Sequence, residues 1–208
     1  MYGEGFRTEG EQLIEHLTDR DILDLGAGDG RLALAMAANG NRVMALDFSE
    51  AAVSQISTQA DQLDAGEVDA RVVDLSDAMQ VAKATEGRKF DVVTLVNVIQ
   101  FMDRERIEEL LSVVAEQLEP NGEVLIRGPQ PKPPLFHTPE HENRGAYSQF
   151  ELASALDRAG LALVNYKQFD WPPTKSRTGS QPAYWAFAQH HPLSIKRPDN
   201  RVRLDGEF

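Results

Sequence analysis

The sequence contains no cysteine. That excludes disulfides, thiolate metal sites and a catalytic thiol, covalent attack on a pyrimidine included, and it fits a cytoplasmic protein. Positive charge is also scarce. Lys and Arg number 21 against 33 Asp and Glu, a formal net charge of −12. A broad phosphate-binding face needs clustered Lys and Arg, so no DNA partner is expected, and RNA or protein as a substrate stays open without being favoured. Long apolar runs are missing. None approaches the ~20 residues needed to cross a membrane, and the first residues carry no signal-peptide core, so no membrane association is expected. No internal repeat is visible. What is present suits one globular domain with a proper core: 208 residues, 41% of them hydrophobic.

Residues 21–30, Asp-Ile-Leu-Asp-Leu-Gly-Ala-Gly-Asp-Gly, organise the rest. A short apolar run (Ile22, Leu23, Leu25) leads into a glycine turn, and a helix follows over 31–39 with Gly40 closing it. The glycines let the backbone turn sharply and approach a ligand without a Cβ in the way. The helix N-terminus offers N–H groups to a polar or anionic ligand, so a nucleotide-like cofactor is the first reading.

Strands and helices then alternate. A helix is expected over 8–18, with Leu13, Ile14 and Leu17 as its apolar stripe. Strands are expected at 21–25, 42–46 ending on Asp47, 69–73, 90–98, 123–127, 161–169 and 183–189. Helices are expected after Ser49, over 104–118 capped by Asp103, and over 149–159 behind the Ser148–Glu151 capping box. Pro120-Asn121-Gly122 reads as a turn. This alternation predicts a parallel α/β sheet, a Rossmann-like doubly wound fold, in which ligands bind outside the carboxyl ends of the strands. Asp47, Asp74 and Asn97 all fall at such ends, on the same edge as the glycine loop. Residues 128–147 differ: five prolines and two histidines forbid a regular element and suggest a binding segment.

In this ordered set the chain resembles the class I S-adenosylmethionine-dependent methyltransferases over roughly residues 10–190. Asp24-Leu25-Gly26-Ala27-Gly28-Asp29-Gly30 matches the family's first motif, Asp47 its second and Asp74-Leu75 its third. Asn97 lies in the fourth, and Leu118 to Glu123 is similar to the approach to strand five. The resemblance implies a seven-stranded, mostly parallel sheet with an antiparallel last strand between strands five and six. It implies S-adenosyl-L-methionine as cofactor. Asp47 would take the ribose hydroxyls, and Asp74 with the Leu75 amide would take the adenine, with Phe48 packed against it. Gly26, Ala27 and Gly28 would bring the backbone close. Asp24 would favour the methionine ammonium, Asn97 would line the methionine side, and Tyr2 and Phe6 would fold over the cofactor. A nicotinamide dehydrogenase is the competing reading of the glycines, but its fingerprint needs a small residue where Arg31 stands, and Asp24 and Asp74 have no part in it. A non-catalytic protein that keeps the fold is a third reading.

The acceptor is expected to be a small molecule with an oxygen or nitrogen nucleophile. Asn97 is followed by Val98-Ile99, without the Pro-Pro-aromatic run found where the family methylates amide or nucleobase nitrogen. His137, His141 and Tyr147 are the candidate catalytic bases, since they follow strand five, where the acceptor pocket is expected. Pro139 bars the helix that would set His137 and His141 on one face, so no metal is expected. The domain is read as 1–191, with an N-terminal helix in 1–20 and an acceptor-side loop at 128–147. Residues 192–208 are read as an extended tail.

Overall fold

In the computed structural model, residues 16–131, 146–171 and 181–191 are described. They form a seven-stranded sheet in the order β3-β2-β1-β4-β5-β7-β6. The strands are β1 (Asp21–Leu25), β2 (Arg42–Asp47), β3 (Glu67–Val72), β4 (Phe90–Val96), β5 (Leu118–Pro129), β6 (Leu161–Trp171) and β7 (Gln181–His190). β1 to β5 pair in parallel, and β7 runs antiparallel between β5 and β6. The expected architecture is thus the observed one.

Helices cover both faces. α1 (Arg31–Ala38) and α2 (Glu50–Ala60) bury Ala33, Met36 and Ile56 against Ile22, Val43, Ala45 and Val92. On the other face α3 (Ala78–Ala84), α4 (Arg104–Gln117) and α5 (Gln149–Arg158) bury Val81, Leu110, Leu111 and Leu156 against Leu23, Leu46, Val93 and Ile126. Successive residues along a strand, such as Ile22 and Leu23, therefore enter opposite cores, as a two-sided sheet requires. β3, at the sheet edge, is only partly covered. Among the described residues no helix is long and apolar enough to cross a membrane.

Several boundaries moved. α3 was not expected: only Val81 of its seven residues is buried, so it carries no apolar stripe. Its start is set by Asp77, whose side chain accepts from the Met79 and Gln80 amides. β4 stops at Val96, two residues short of the expected end, because Asn97 adopts a left-handed conformation (φ 61°). β5 begins at Leu118, which pairs with Phe90. The next pair is Val92 with Glu123, so Pro120-Asn121-Gly122 sits in an irregularity inside the strand rather than before it. Gly128 and Pro129 still pair with Tyr184 and Ala183, so the expected 128–147 loop starts later than read. The helix expected over 8–18 does not reach its end: residue 16 is in a turn and 17 and 18 are irregular. The remainder of that helix and the 192–208 tail lie outside the described residues.

The entry into the sheet is pinned by Asn41. Its amide is fully buried, donates to the Leu17 and Met36 carbonyls at 2.7 Å each, and accepts from the Arg20 amide at 2.9 Å. A buried amide with such bonds is cheap to keep and costs about 1–3 kcal/mol for each partner left unpaired.

Candidate functional site

Because β1, β2, β3 and β4 are parallel neighbours, their carboxyl ends share one edge. That edge carries the glycine loop, Asp47 and Phe48, Asp74, and Asn97. The glycine loop is held to β2: the Gly26 and Ala27 amides both donate to the Leu46 carbonyl, at 2.8 and 3.1 Å. Gly28 N–H donates to Asp47 Oδ2 at 2.8 Å, Gly30 N–H to the Ala27 carbonyl at 3.0 Å, and Arg31 N–H to Asp29 Oδ1 at 3.4 Å. These donors are engaged within the chain. With the Gly26, Ala27 and Gly28 amides already bonded, this part of the loop is a poor cradle for a pyrophosphate.

Two of the loop glycines serve different ends. A Cβ on Gly26 (φ +75°) would lie 2.4 Å from Val98 Cγ2, so this glycine lets the β4 end pack on the loop. A Cβ on Gly28 (φ +57°) would meet nothing within 4 Å, so Gly28 leaves open space on the edge.

The site's charge is negative. Asp24, next to the last residue of β1, is 2% exposed. Its Oδ1 accepts from Thr94 Oγ1 at 2.6 Å, and its Oδ2 is buried with no partner. Burial raises its carboxyl to about 6; the Thr94 hydrogen bond opposes that and the Asp47 charge adds to it. Asp47 is also buried. Its Oδ2 takes the Gly28 amide, and its Oδ1 takes the Ser49 amide at 3.0 Å. Each carboxylate oxygen has room for a second donor. A buried orphan oxygen on Asp24, two more acceptors on Asp47 and open space at Gly28 suit a ligand that brings hydroxyls and a cation. S-adenosylmethionine has a ribose diol, an ammonium and a sulfonium, and no phosphate, so the residues fit it.

Asp74 is exposed beyond β3, and its Oδ1 accepts from Ser76 N–H at 2.9 Å and Ser76 Oγ at 2.7 Å. The Leu75 side chain is buried beside it. The Val73 amide donates to the Asp47 carbonyl at 2.9 Å, which ties this turn to the end of β2. Phe48 is 77% exposed, an aromatic face presented to the edge. Asn97 donates its amide to the Arg127 carbonyl at 2.9 Å, and its Oδ1 accepts from Arg127 Nε at 3.3 Å. Arg127 in turn lies 5.2 Å over the Trp185 ring.

Tyr147 is 1% exposed, with the Arg104 guanidinium 4.7 Å over its ring. Burial pushes its hydroxyl up to about 12, and the surrounding charges, led by Arg104, pull and push less. A phenol that keeps its proton to that pH is a hydrogen-bond donor at neutral pH and a poor proton acceptor, which speaks against the base role expected for it. His137, His141, Tyr2 and Phe6 lie outside the described residues. Thr94 and Arg127 were missed by sequence reasoning. The signal for Thr94 was a lone hydroxyl within an apolar strand; Arg127 gave none, since its partner Asn97 is distant in sequence.

The family model described as a methyltransferase domain matches residues 22–122, from β1 into β5. A ubiquinone biosynthesis O-methyltransferase of Alkalilimnicola ehrlichii is 29% identical over 202 residues, which cover 87% of this chain and 78% of that protein. A ubiquinone biosynthesis O-methyltransferase of Rickettsia akari is 27% identical over 112 residues, 53% of this chain but only 41% of the relative's length. Among solved structures, an S-adenosylmethionine-dependent methyltransferase of Methanosarcina mazei superposes with a TM-score of 0.67 at 17% identity, covering 84% of this chain and 93% of that one. At that identity the likeness is one of fold.

Proposed function

Because this chain belongs to the class I S-adenosylmethionine-dependent methyltransferases, with S-adenosylmethionine as cofactor, we propose that it transfers a methyl group to an oxygen or nitrogen atom of a small-molecule acceptor. The observation that carries this reading is the edge itself: a buried carboxylate pair, Asp24 and Asp47, beside a glycine loop whose Gly26, Ala27 and Gly28 amides are already bonded to β2. Small-molecule acceptors are supported by the names of the two curated relatives and by the acidic balance of the chain.

The cofactor, when bound, supplies an electrophilic methyl on a sulfonium, open to in-line displacement. The chain's own residues do the rest. Asp47 accepts from the ribose hydroxyls while Gly28 and Ser49 hold its carboxylate in place. Asp24 offers Oδ2 to the ammonium end, and Thr94 fixes the rotamer that points it there. Asp74 and the Leu75 amide read the adenine edge, and Phe48 covers its face. Asn97, fixed in its left-handed turn by Arg127, closes the methionine side near β4. Holding the reacting atoms about 3–3.5 Å apart and excluding water accounts for much of the rate such sites achieve. A base, where the acceptor needs one, is left to His137 or His141. The domain is taken as residues 1–191.

The test is transfer of labelled methyl from S-adenosylmethionine to small molecules of a cell extract. Label in a small-molecule fraction, lost in Asp47→Ala, is expected. Label only in protein or RNA would move the acceptor class, and no transfer despite cofactor binding would make this a binding protein.

A further inference from the structure

The two edges of the sheet differ. β6, at one edge, is broken by a bulge between Leu163 and Asn165, a common device for keeping an edge from pairing. β3, at the other edge, has no such break. All six of its residues, Glu67 to Val72, pair in register with Arg42 to Asp47 of β2, and none is proline. Among the described residues no strand pairs on its outer side. The Glu67 amide donates to the Asn41 carbonyl at 3.1 Å and the Val73 amide to the Asp47 carbonyl at 2.9 Å, so both turn toward β2. Amides alternate in direction along a strand. Those of Val68, Ala70 and Val72 therefore point away from the sheet. An open row of this kind is a template for another strand.

The side chains of β3 carry a pattern as well. Val68 and Ala70 pack against the core on the face covered by α1 and α2, and Val72, in step with them, is 49% exposed. Asp69 and Arg71 share the other face, one charge of each sign on either side of Ala70. Arg71 Nε and Nη2 donate to Asp69 Oδ1 and Oδ2 at 3.0 and 2.7 Å. Arg71 Nη1 donates to the Ala84 carbonyl at 2.7 Å, and Arg88 Nη1 to Asp69 Oδ2 at 3.1 Å. These bonds fix both rotamers at the surface. They leave Arg71 with N–H groups to spare and Asp69 Oδ1 with a second lone pair.

We propose that β3 pairs antiparallel with β3 of a second copy of this chain, about a twofold axis at Ala70, joining the two sheets into one. In that register Val68 lies opposite Val72 of the second copy and Ala70 opposite Ala70, and the outward amides and carbonyls of these residues satisfy one another. Asp69 falls opposite Arg71 of the second copy, and the symmetry repeats the pair. These are the non-hydrogen-bonded positions, where facing side chains approach most closely. Moving the axis to residue 69 or 71 sets Asp69 against Asp69 or Arg71 against Arg71, and like charges directly opposite destabilise a ladder. The charge pattern thus selects both the partner and the register. The proposal is independent of the methyl-transfer reading, since no residue assigned to the cofactor takes part.

The experiment is analytical ultracentrifugation of the full chain, with folding of each variant checked by circular dichroism. A six-residue strand pair buries little area by itself, so the mass is expected to rise from one chain to two across the micromolar range. Arg71→Glu and Asp69→Lys are each expected to weaken self-association about tenfold or more. Mixed together, these two variants are expected to form a dimer with each other. Asp69 of one then meets Arg71 of the other, and the two new side chains are of opposite sign. Val72→Lys removes no ion pair within the chain, and it gives the same loss of self-association should a charge variant fail to fold. An unmodified chain that stays monomeric through that range would overturn the proposal. So would a dimer that survives in every folded variant, or folded charge variants that stay apart on mixing.

Discussion

Asp24 is the residue whose replacement tests the site's electrostatics most directly. Its carboxyl titrates at about 6 in the folded chain because the group is buried. In the unfolded chain the same group titrates near 3.9. Between those values the folded state holds a proton that the unfolded state has released, so stability falls as pH rises through the window. Below about pH 4 both states are protonated and nothing is lost. Above about pH 6 the loss is complete, and two pH units correspond to about 3 kcal/mol. Asp24→Asn removes the titration but not the site's shape, since the new side-chain carbonyl still accepts from Thr94. The new NH₂ group carries its own burial cost, which does not vary with pH. The diagnostic is therefore the stability difference between the two proteins, followed by urea denaturation from pH 4 to 8. That difference is expected to shift by about 3 kcal/mol in favour of the Asp24→Asn variant, with its midpoint between about pH 4 and 6. Other carboxylates titrate in both proteins and cancel. A second arm measures S-adenosylhomocysteine binding. A ligand ammonium needs Asp24 ionised, so affinity in the unmodified protein is expected to fall toward tenfold per pH unit below about pH 6 and to vary less in Asp24→Asn. Parallel stability profiles for the two proteins would refute the burial argument; parallel binding profiles would refute the ammonium contact.

The two loop glycines separate packing from ligand approach. Gly26→Ala combines a left-handed backbone with a Cβ 2.4 Å from Val98 Cγ2 and is expected to destabilise by about 2–4 kcal/mol in urea denaturation. Gly28→Ala meets no atom, so only the backbone cost of about 1–2 kcal/mol applies, and its main effect is expected in cofactor affinity measured by calorimetry. Asp47→Ala leaves the Gly28 and Ser49 amides without their acceptor. It is expected to lose about 1–3 kcal/mol of stability and tenfold or more in S-adenosylhomocysteine affinity.

The cofactor half of the molecule was the more legible in sequence. Its strands are continuous apolar runs, its turns are glycines or caps, and its polar residues fall at strand ends, so chain order alone brings them to one edge. β1 was read to the residue because Asp21 and the glycines bound it on both sides. Where burial was partial, reading failed: α3 buries only Val81, and edge strand β3 starts at Glu67, two residues before the expected Asp69. Sequence shows a donor but not the distant acceptor that holds it: the Gly26 and Ala27 amides go to Leu46 and the Gly28 amide to Asp47. Tyr147 was legible as a polar group near the acceptor side. Its burial was not, because a lone tyrosine behind a proline-rich stretch carries no apolar periodicity to mark it as core.

The insertion of β7 between β5 and β6 also sets an order of assembly. β1 to β5 and their helices emerge during synthesis before residue 181, so the cofactor edge can form while the outer side of β5 is still bare. An uncovered strand edge of that kind is a template for pairing with other chains. The strand that closes it is the one that brings Tyr184, so the step that protects the nascent sheet from aggregation is also the step that completes the core beside β5.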